Sequence, residues 1–187
     1  SDPVFSRVNV SDFGQVLGAL TGIDRRIDDE ITGIAHLGAI ASPGEAPNHV
    51  IFENNTISTY NIFEAARQLG IRNIVSASSE TVFGLPYDGN PQYVPLDEEI
   101  DRPEYSYSLS KFIGEKLAEQ FCRWDAETKI ISLRFSNVQE PKDYGQCESY
   151  NAAPARLKFN VGSDIVARDP SQGTRVSRHA KPNTAHV

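Results

Sequence analysis

Between residues 30 and 140, short runs of β-branched residues alternate with longer stretches of helical period, and few folds accept that alternation. Ile31 to Ala39, Ile71 to Ser78 and Lys129 to Phe135 read as strands. A strand that reaches the next one through a helix pairs with it in parallel, by a right-handed crossover. The expectation is an α/β chain: a partial Rossmann-like doubly wound parallel sheet with helices on both faces. One crossover helix runs from Asn55 to Leu69, with Ile57, Ile62, Phe63 and Ala66 near one face and Gly70 as its stop. The next runs from Tyr105 to about Trp124 and is expected to bury Leu109, Phe112, Ile113, Leu117 and Phe121. Upstream, Asp12 caps a short helix containing Val16, Leu17 and Leu20.

A chain of 187 residues has room for one domain. We place it at residues 1–169. From Pro170 the composition turns to Ser, Thr, Gly, Pro, Arg and Lys without an apolar period, which predicts a disordered tail over 170–187. The chain opens on Ser1-Asp2-Pro3, as though entered partway through a fold. The stretch from Gly84 to Pro103, at about 20 residues, is longer than an ordinary connection and predicts a functional loop.

Charge narrows the partners. With 18 basic against 25 acidic residues, net −7, the chain lacks the basic excess that grips a phosphate backbone, so no nucleic-acid partner is expected. Cys122 and Cys147 lie in no metal or redox spacing and read as idle thiols. No apolar run reaches bilayer length, so no membrane association is expected and a cytoplasmic location is the expectation.

Tyr107 and Lys111 stand four residues apart on the second helix, which brings a phenol and an ammonium onto one face. A nearby cation favours the phenolate and is expected to pull its pKa down toward neutrality. Seven Tyr and six Lys in 187 residues give about 0.2 such pairs by chance, so the spacing needs company. Ser78 and Ser79 supply it, because they fall at the carboxyl end of a predicted parallel strand, the edge where open α/β sheets bind ligands. A hydroxyl there can orient a substrate alcohol while the phenolate exchanges its proton. The plainer reading of this stretch is a serine-rich strand end that caps the next turn.

Five stretches in order carry a family likeness: His36-Leu37-Gly38-Ala39, Asn54-Asn55-Thr56, Ser78-Ser79-Glu80-Thr81-Val82-Phe83-Gly84, Tyr107 with Lys111, and Leu133-Arg134-Phe135-Ser136-Asn137. Over approximately residues 8 to 140, with a fainter echo to Asp169, the chain resembles the extended short-chain dehydrogenases/reductases, the NAD-dependent epimerase/dehydratase group. The resemblance implies that Tyr107 is the catalytic acid/base, that Lys111 lowers its pKa and bonds the nicotinamide ribose, and that Ser79 is the catalytic serine. It places Leu37, Gly38 and Ala39 along NAD, Val10 beside the adenine, Asn55 against the cofactor, and Asn137 facing a sugar or sugar-nucleotide substrate. It also implies a possible homodimer through the Tyr/Lys helix. For Asn55 and Asn137, capping of a helix or strand end is an equally common use of a buried amide.

Departures from the family pattern are as specific as the matches. No G-x-x-G-x-x-G or G-x-G-x-x-G turn occurs in the 187 residues, and Asn9 stands where the family usually carries Asp. Glu80-Thr81 does not reproduce the Asp-Glu pair expected of a sugar-nucleotide 4,6-dehydratase. The run from Arg134 to Pro141 is similar to uronate dehydrogenases, so net oxidation of a sugar acid stands beside epimerisation. A non-catalytic fragment unable to hold NAD is the alternative from another class. Among the remaining features, His36 reads as a packed residue rather than a metal ligand, and no metal site is expected. Asp97-Glu98-Glu99 reads as a solvated acidic turn, Arg25-Arg26 as offset by its acidic neighbours, and Trp124 as packing.

Overall fold

The computed structural model describes residues 6–22, 31–84, 93, 95–136, 138, 166–169 and 174–177. In chain order the elements are α1 (Phe13–Thr21), β1 (Ile34–His36), α2 (Asn48–Leu69), β2 (Asn73–Ser79), a short 3-10 turn (Glu80–Phe83), α3 (Ser106–Trp124), β3 (Lys129–Phe135), β4 (Val166–Asp169) and β5 (Thr174–Ser177). They build one sheet of order β1-β2-β3-β4-β5. β1 pairs with β2 and β2 with β3 in parallel, with His36 opposite Ser76, Ser78 opposite Arg134 and Ser79 opposite Phe135.

The local signals act where the sequence places them. Asp12 caps α1 by accepting from the Gln15 N–H at 3.0 Å. Gly70 ends α2 in the left-handed region at φ 71°, where its N–H reaches the Ala66 and Arg67 carbonyls. The helix itself starts seven residues before the predicted Asn55, at Asn48 behind Pro47.

Three differences from the sequence expectation have physical causes. First, β4 and β5 form an antiparallel ribbon beside β3, so residues 174–177 of the predicted tail are a strand. Second, the described helices gather on one face of the sheet: α1 rests on α2, α2 on α3, and α3 on β2 and β3. A doubly wound sheet acquires helices on its second face only after its order reverses, whereas β1, β2 and β3 advance in one direction. Burial along the strands alternates accordingly, with Ile130, Ser132 and Arg134 covered and Ile131 37% exposed.

Third, α3 buries the stripe predicted for it only in part: Phe121 is covered and Leu117 packs against the core. Leu109 is 39% exposed, and the buried face runs through Tyr107, Ser110, Gly114, Glu115, Ala118, Phe121 and Cys122. Small side chains let the helix approach α2, where a Cβ on Gly114 would already touch Thr59 at 3.5 Å, and the polar ones find partners beneath it. The apolar core then lies where α1, α2 and α3 meet the sheet, around Val16, Ile62, Phe63, Ile74, Phe121 and Ile130. Phe63 and Phe121 meet edge to face at 5.7 Å, and burying each ring contributes about 2–3 kcal/mol.

Candidate active site

The carboxyl ends of β1, β2 and β3 lie side by side, and chemistry-bearing residues converge there. Ser79 is the last residue of β2 and caps the 3-10 turn that follows. Its Oγ accepts from the Thr81 N–H at 3.2 Å and from the Thr81 hydroxyl at 3.0 Å. With those two acceptances its own proton remains available. Ser79 also hydrogen-bonds the Tyr107 side chain, and because both Ser79 lone pairs are taken by Thr81, Ser79 donates and the Tyr107 oxygen accepts.

Lys111 projects from the next turn of α3, its Nζ donating to the Ala77 carbonyl at 2.9 Å and lying 5.7 Å from the centre of the Tyr107 ring. The ammonium therefore faces the ring rather than only the hydroxyl. The spacing argument predicted a lowered tyrosine pKa, and here the net direction is opposite. Burial pushes the Tyr107 phenol up, Ser79 opposes it, and the fields of Tyr105 and Glu45 add to the rise. Desolvation is the largest of these effects.

Burial also holds Lys111 down to about 8. Its folded pKa lies below the ordinary 10.5, so the unfolded chain binds more protons between those values and stability rises with pH across that window. The full penalty is present below pH 8. Lys111→Met is therefore expected to stabilise the fold at pH 7 by about 1–2 kcal/mol, after allowing for the lost bond to Ala77. Urea titrations at pH 7 and pH 10.5 check this, since the gain must fade at the higher pH; a destabilised variant at pH 7 contradicts it.

His36 ends β1 and packs, as the sequence suggested. Its Nε2 lies 3.2 Å from the Thr59 hydroxyl, which already donates to the Asn55 carbonyl at 2.8 Å. The hydroxyl must then accept, so Nε2 carries the proton. Burial and the Lys111 charge hold His36 down to about 4, which keeps it neutral at physiological pH.

The residues assigned to the cofactor gather just beyond His36. Leu37 is 65% exposed on a ledge beside Gly38, and the Val10 methyls lie 3.6 and 3.8 Å from where a Cβ on Gly38 would stand. Those are ordinary contacts, and Gly38 is not among the glycines at positive φ, so neither packing nor backbone conformation requires a glycine there. Ala39 follows, half buried. Asn55 has a different geometry from the rest. Its Oδ1 accepts from the Ile40 N–H at 2.8 Å and its Nδ2 donates to the Ile40 carbonyl at 3.1 Å, which clamps the ledge from behind. Asn137 lies outside the described residues.

Sequence reasoning missed several neighbours. Glu80, next to Ser79, hydrogen-bonds Ser136 at the end of β3; burial pushes its carboxyl up and the Ser136 bond opposes this. Tyr105 hydrogen-bonds Thr81 and stands in the field of Glu80. Glu98, read as part of a solvated turn, is 5% exposed, and its carbonyl accepts from the Arg134 guanidinium at 3.2 Å. The signal for that was an arginine at an inward position of a hydrophobic strand, which demands acceptors wherever it folds. Among the described residues no three His, Cys, Asp or Glu side chains converge as a metal site, and no helix is long and apolar enough to cross a membrane.

Comparison with known proteins gives the arrangement its context. The sequence model of the NAD dependent epimerase/dehydratase family matches residues 17–166. The chain is 38% identical to the uronate dehydrogenase of Agrobacterium fabrum over 114 residues, 60% of this chain and 40% of that one. It is 26% identical to the UDP-glucose 4-epimerase of Drosophila melanogaster over 172 residues, 89% of this chain and 46% of the relative. A short-chain dehydrogenase/reductase superfamily protein from Agrobacterium tumefaciens, solved with bound NAD, superposes with a TM-score of 0.57 at 26% identity, covering 82% of this chain and 50% of that one. The chain thus spans less than half the length of these two curated relatives.

Proposed function

Since the chain belongs to the NAD-dependent epimerase/dehydratase family, we propose that it carries the proton-transfer site of an NAD-dependent oxidoreductase or isomerase acting on a sugar or sugar nucleotide. The observation that carries this reading is the Ser79–Tyr107 hydrogen bond at the carboxyl edge of parallel strands, with the Lys111 ammonium beside the ring. Ser79 and Tyr107 are the groups that meet the substrate alcohol: the serine orients the hydroxyl, and the phenolate oxygen takes its proton and later returns it. Lys111 places its ammonium, charged below about pH 8, beside the Tyr107 ring.

The residues fit one half of a dinucleotide. Leu37, Gly38 and Ala39 offer a partly exposed ledge on which the protein itself does not require a glycine, and Lys111 and Tyr107 offer donors to a ribose. NAD bound there would supply the hydride acceptor. For the pyrophosphate, the 187 residues contain no glycine-rich turn. That supports a second reading, a chain that keeps the proton-transfer residues without holding NAD. Between subtypes, the 38% match to a uronate dehydrogenase favours net oxidation of a sugar acid, and the longer match to an epimerase favours interconversion. Pairing of two chains belongs to the same proposal, with exposed Ile57, Tyr60 and Leu109 supplying apolar surface on α2 and α3.

The test uses NAD, D-galacturonate and UDP-glucose as probes. We expect millimolar NAD to raise the melting temperature, and one of the two sugars to turn over, read as NADH absorbance or as epimer formation. No thermal shift and no turnover with either sugar would overturn the enzyme reading and leave the non-catalytic one.

A further inference from the structure

Three consecutive residues of β2 are tied to three successive turns of α3. Ala77 accepts from Lys111 through its carbonyl at 2.9 Å, the Ser78 hydroxyl donates to Glu115 Oε1 at 2.6 Å, and Ser79 donates to Tyr107. Tyr107, Lys111 and Glu115 are spaced by four, so they occupy one helix face, and that face lies on the strand. The same Glu115 takes two bonds from Arg134 on β3, Nε at 2.8 Å and Nη2 at 2.7 Å. It is 2% exposed.

We propose that Glu115 is a positioning residue for the Ser79 and Tyr107 pair: through Ser78 and Arg134 it fixes the height of α3 above the ends of β2 and β3, and so fixes the distance between the two reacting hydroxyls. The argument is geometric. A helix held against its neighbours through small side chains, such as Gly114 facing Thr59 of α2, can slide along its own axis, because such contacts are smooth and have little directional preference. A buried carboxylate held by a hydroxyl and a guanidinium from two different strands has one low-energy position. Glu115 stands two turns from Tyr107, far enough that it does not touch the reacting oxygen and close enough, on a rigid helix, to set its position. Misplacement of a catalytic group by about 1 Å can cost a factor of about 100 in rate, so such a lock affects chemistry out of proportion to its effect on stability.

Ser78→Ala tests this most cleanly. It removes the tie to β2 and leaves Glu115 paired with Arg134, so the fold should survive. The readout is the titration of Tyr107, followed by NMR with tyrosine labelled at the ring carbon bearing oxygen and assigned by its loss in Tyr107→Phe. The groups facing that phenol are Ser79 from β2, Tyr105 and Lys111 from α3 and its cap, and Glu45 from the loop after β1. If the lock sets the Ser79 distance, Ser78→Ala weakens the one bond that lowers the Tyr107 pKa, and the titration moves upward; Ser78→Thr, which keeps the hydroxyl, restores it. Turnover in Ser78→Ala should fall about 10-fold in kcat with KM within twofold.

A Tyr107 titration unchanged in Ser78→Ala, whatever the melting temperature does, overturns the proposal. The inference rests on Tyr107 as the acid/base, yet the titration needs neither NAD nor substrate. A chain that binds no NAD but shows the upward shift refutes the proposed function and leaves the positioning role standing.

Discussion

Tyr107→Phe is expected to lower NAD-coupled turnover by about 1,000-fold while leaving the fold in place. The substitution removes one oxygen. The ring stays in its buried seat between α3 and the end of β2, and the only described bond lost is the one from Ser79, worth about 1 kcal/mol. A variant that melts within a few degrees of the parent and turns over normally would refute the assigned role. The pH profile adds a second check. Because burial holds this phenol above its ordinary pKa, the deprotonated base that oxidation requires accumulates only on the alkaline side. The rate of alcohol oxidation should therefore climb with pH through the alkaline range, and that limb should vanish in Tyr107→Phe. A flat profile in the parent would mean that a bound group lowers the phenol further than Ser79 alone does.

The fold was legible to the degree that local signals and period decide it. Asp12 and Gly70 mark helix ends because a side-chain acceptor and a left-handed residue are needed there whatever the tertiary context. The strands at Ile71 and Lys129 follow from hydrophobic runs, and their parallel pairing follows from the helices between them. Legibility ended at the sheet face of α3. A periodicity argument assigns the core to Leu109, Phe112, Ile113, Leu117 and Phe121; the structure buries Phe121 among these and, beside it, Tyr107, Ser110, Glu115 and Ala118. Burial of polar groups depends on partners from other elements, and those partners, Ala77, Ser78 and Arg134, are between 19 and 37 residues away.

The site divides along the same line. Ser79, Tyr107 and Lys111 come together at the strand ends, and the ordering of motifs was enough to suggest that they should. The direction of the Tyr107 pKa could not be read from a spacing of four, because it is set by how deeply the phenol is covered. Asn55 shows the same thing in reverse. An amide at a cofactor-family position is used to clamp the Ile40 backbone, with both of its polar ends engaged within the protein.

Arg134→Ala is expected to destabilise the chain by about 3–5 kcal/mol, a large part of the 5–15 kcal/mol that holds a typical domain. The guanidinium has five N–H groups, and the structure supplies five bonds: to both Glu115 oxygens at 2.8 and 2.7 Å, to Asp101 at 2.9 Å, and to the Glu98 and Ile100 carbonyls at 3.2 and 3.3 Å. Its flat face lies 4.5 Å from the centre of the Phe83 ring. The attraction itself is largely cancelled by the cost of drying two charges, so the pair adds little net stability. Removing only the arginine, however, takes two bonds from the buried Glu115 carboxylate and three from the 98–101 segment. The double substitution Arg134→Met with Glu115→Leu removes both charges and should recover most of the loss, short of about 1–3 kcal/mol for the stranded Ser78 hydroxyl. Arg134→Lys should fall between, because an ammonium keeps the charge but cannot hold two carboxylates and two carbonyls in one plane. Urea unfolding of the four proteins measures the whole cycle. If Arg134→Ala costs under about 1 kcal/mol, or the double variant is no better than the single one, the buried pair is not what joins α3 to β3 and the 98–101 segment.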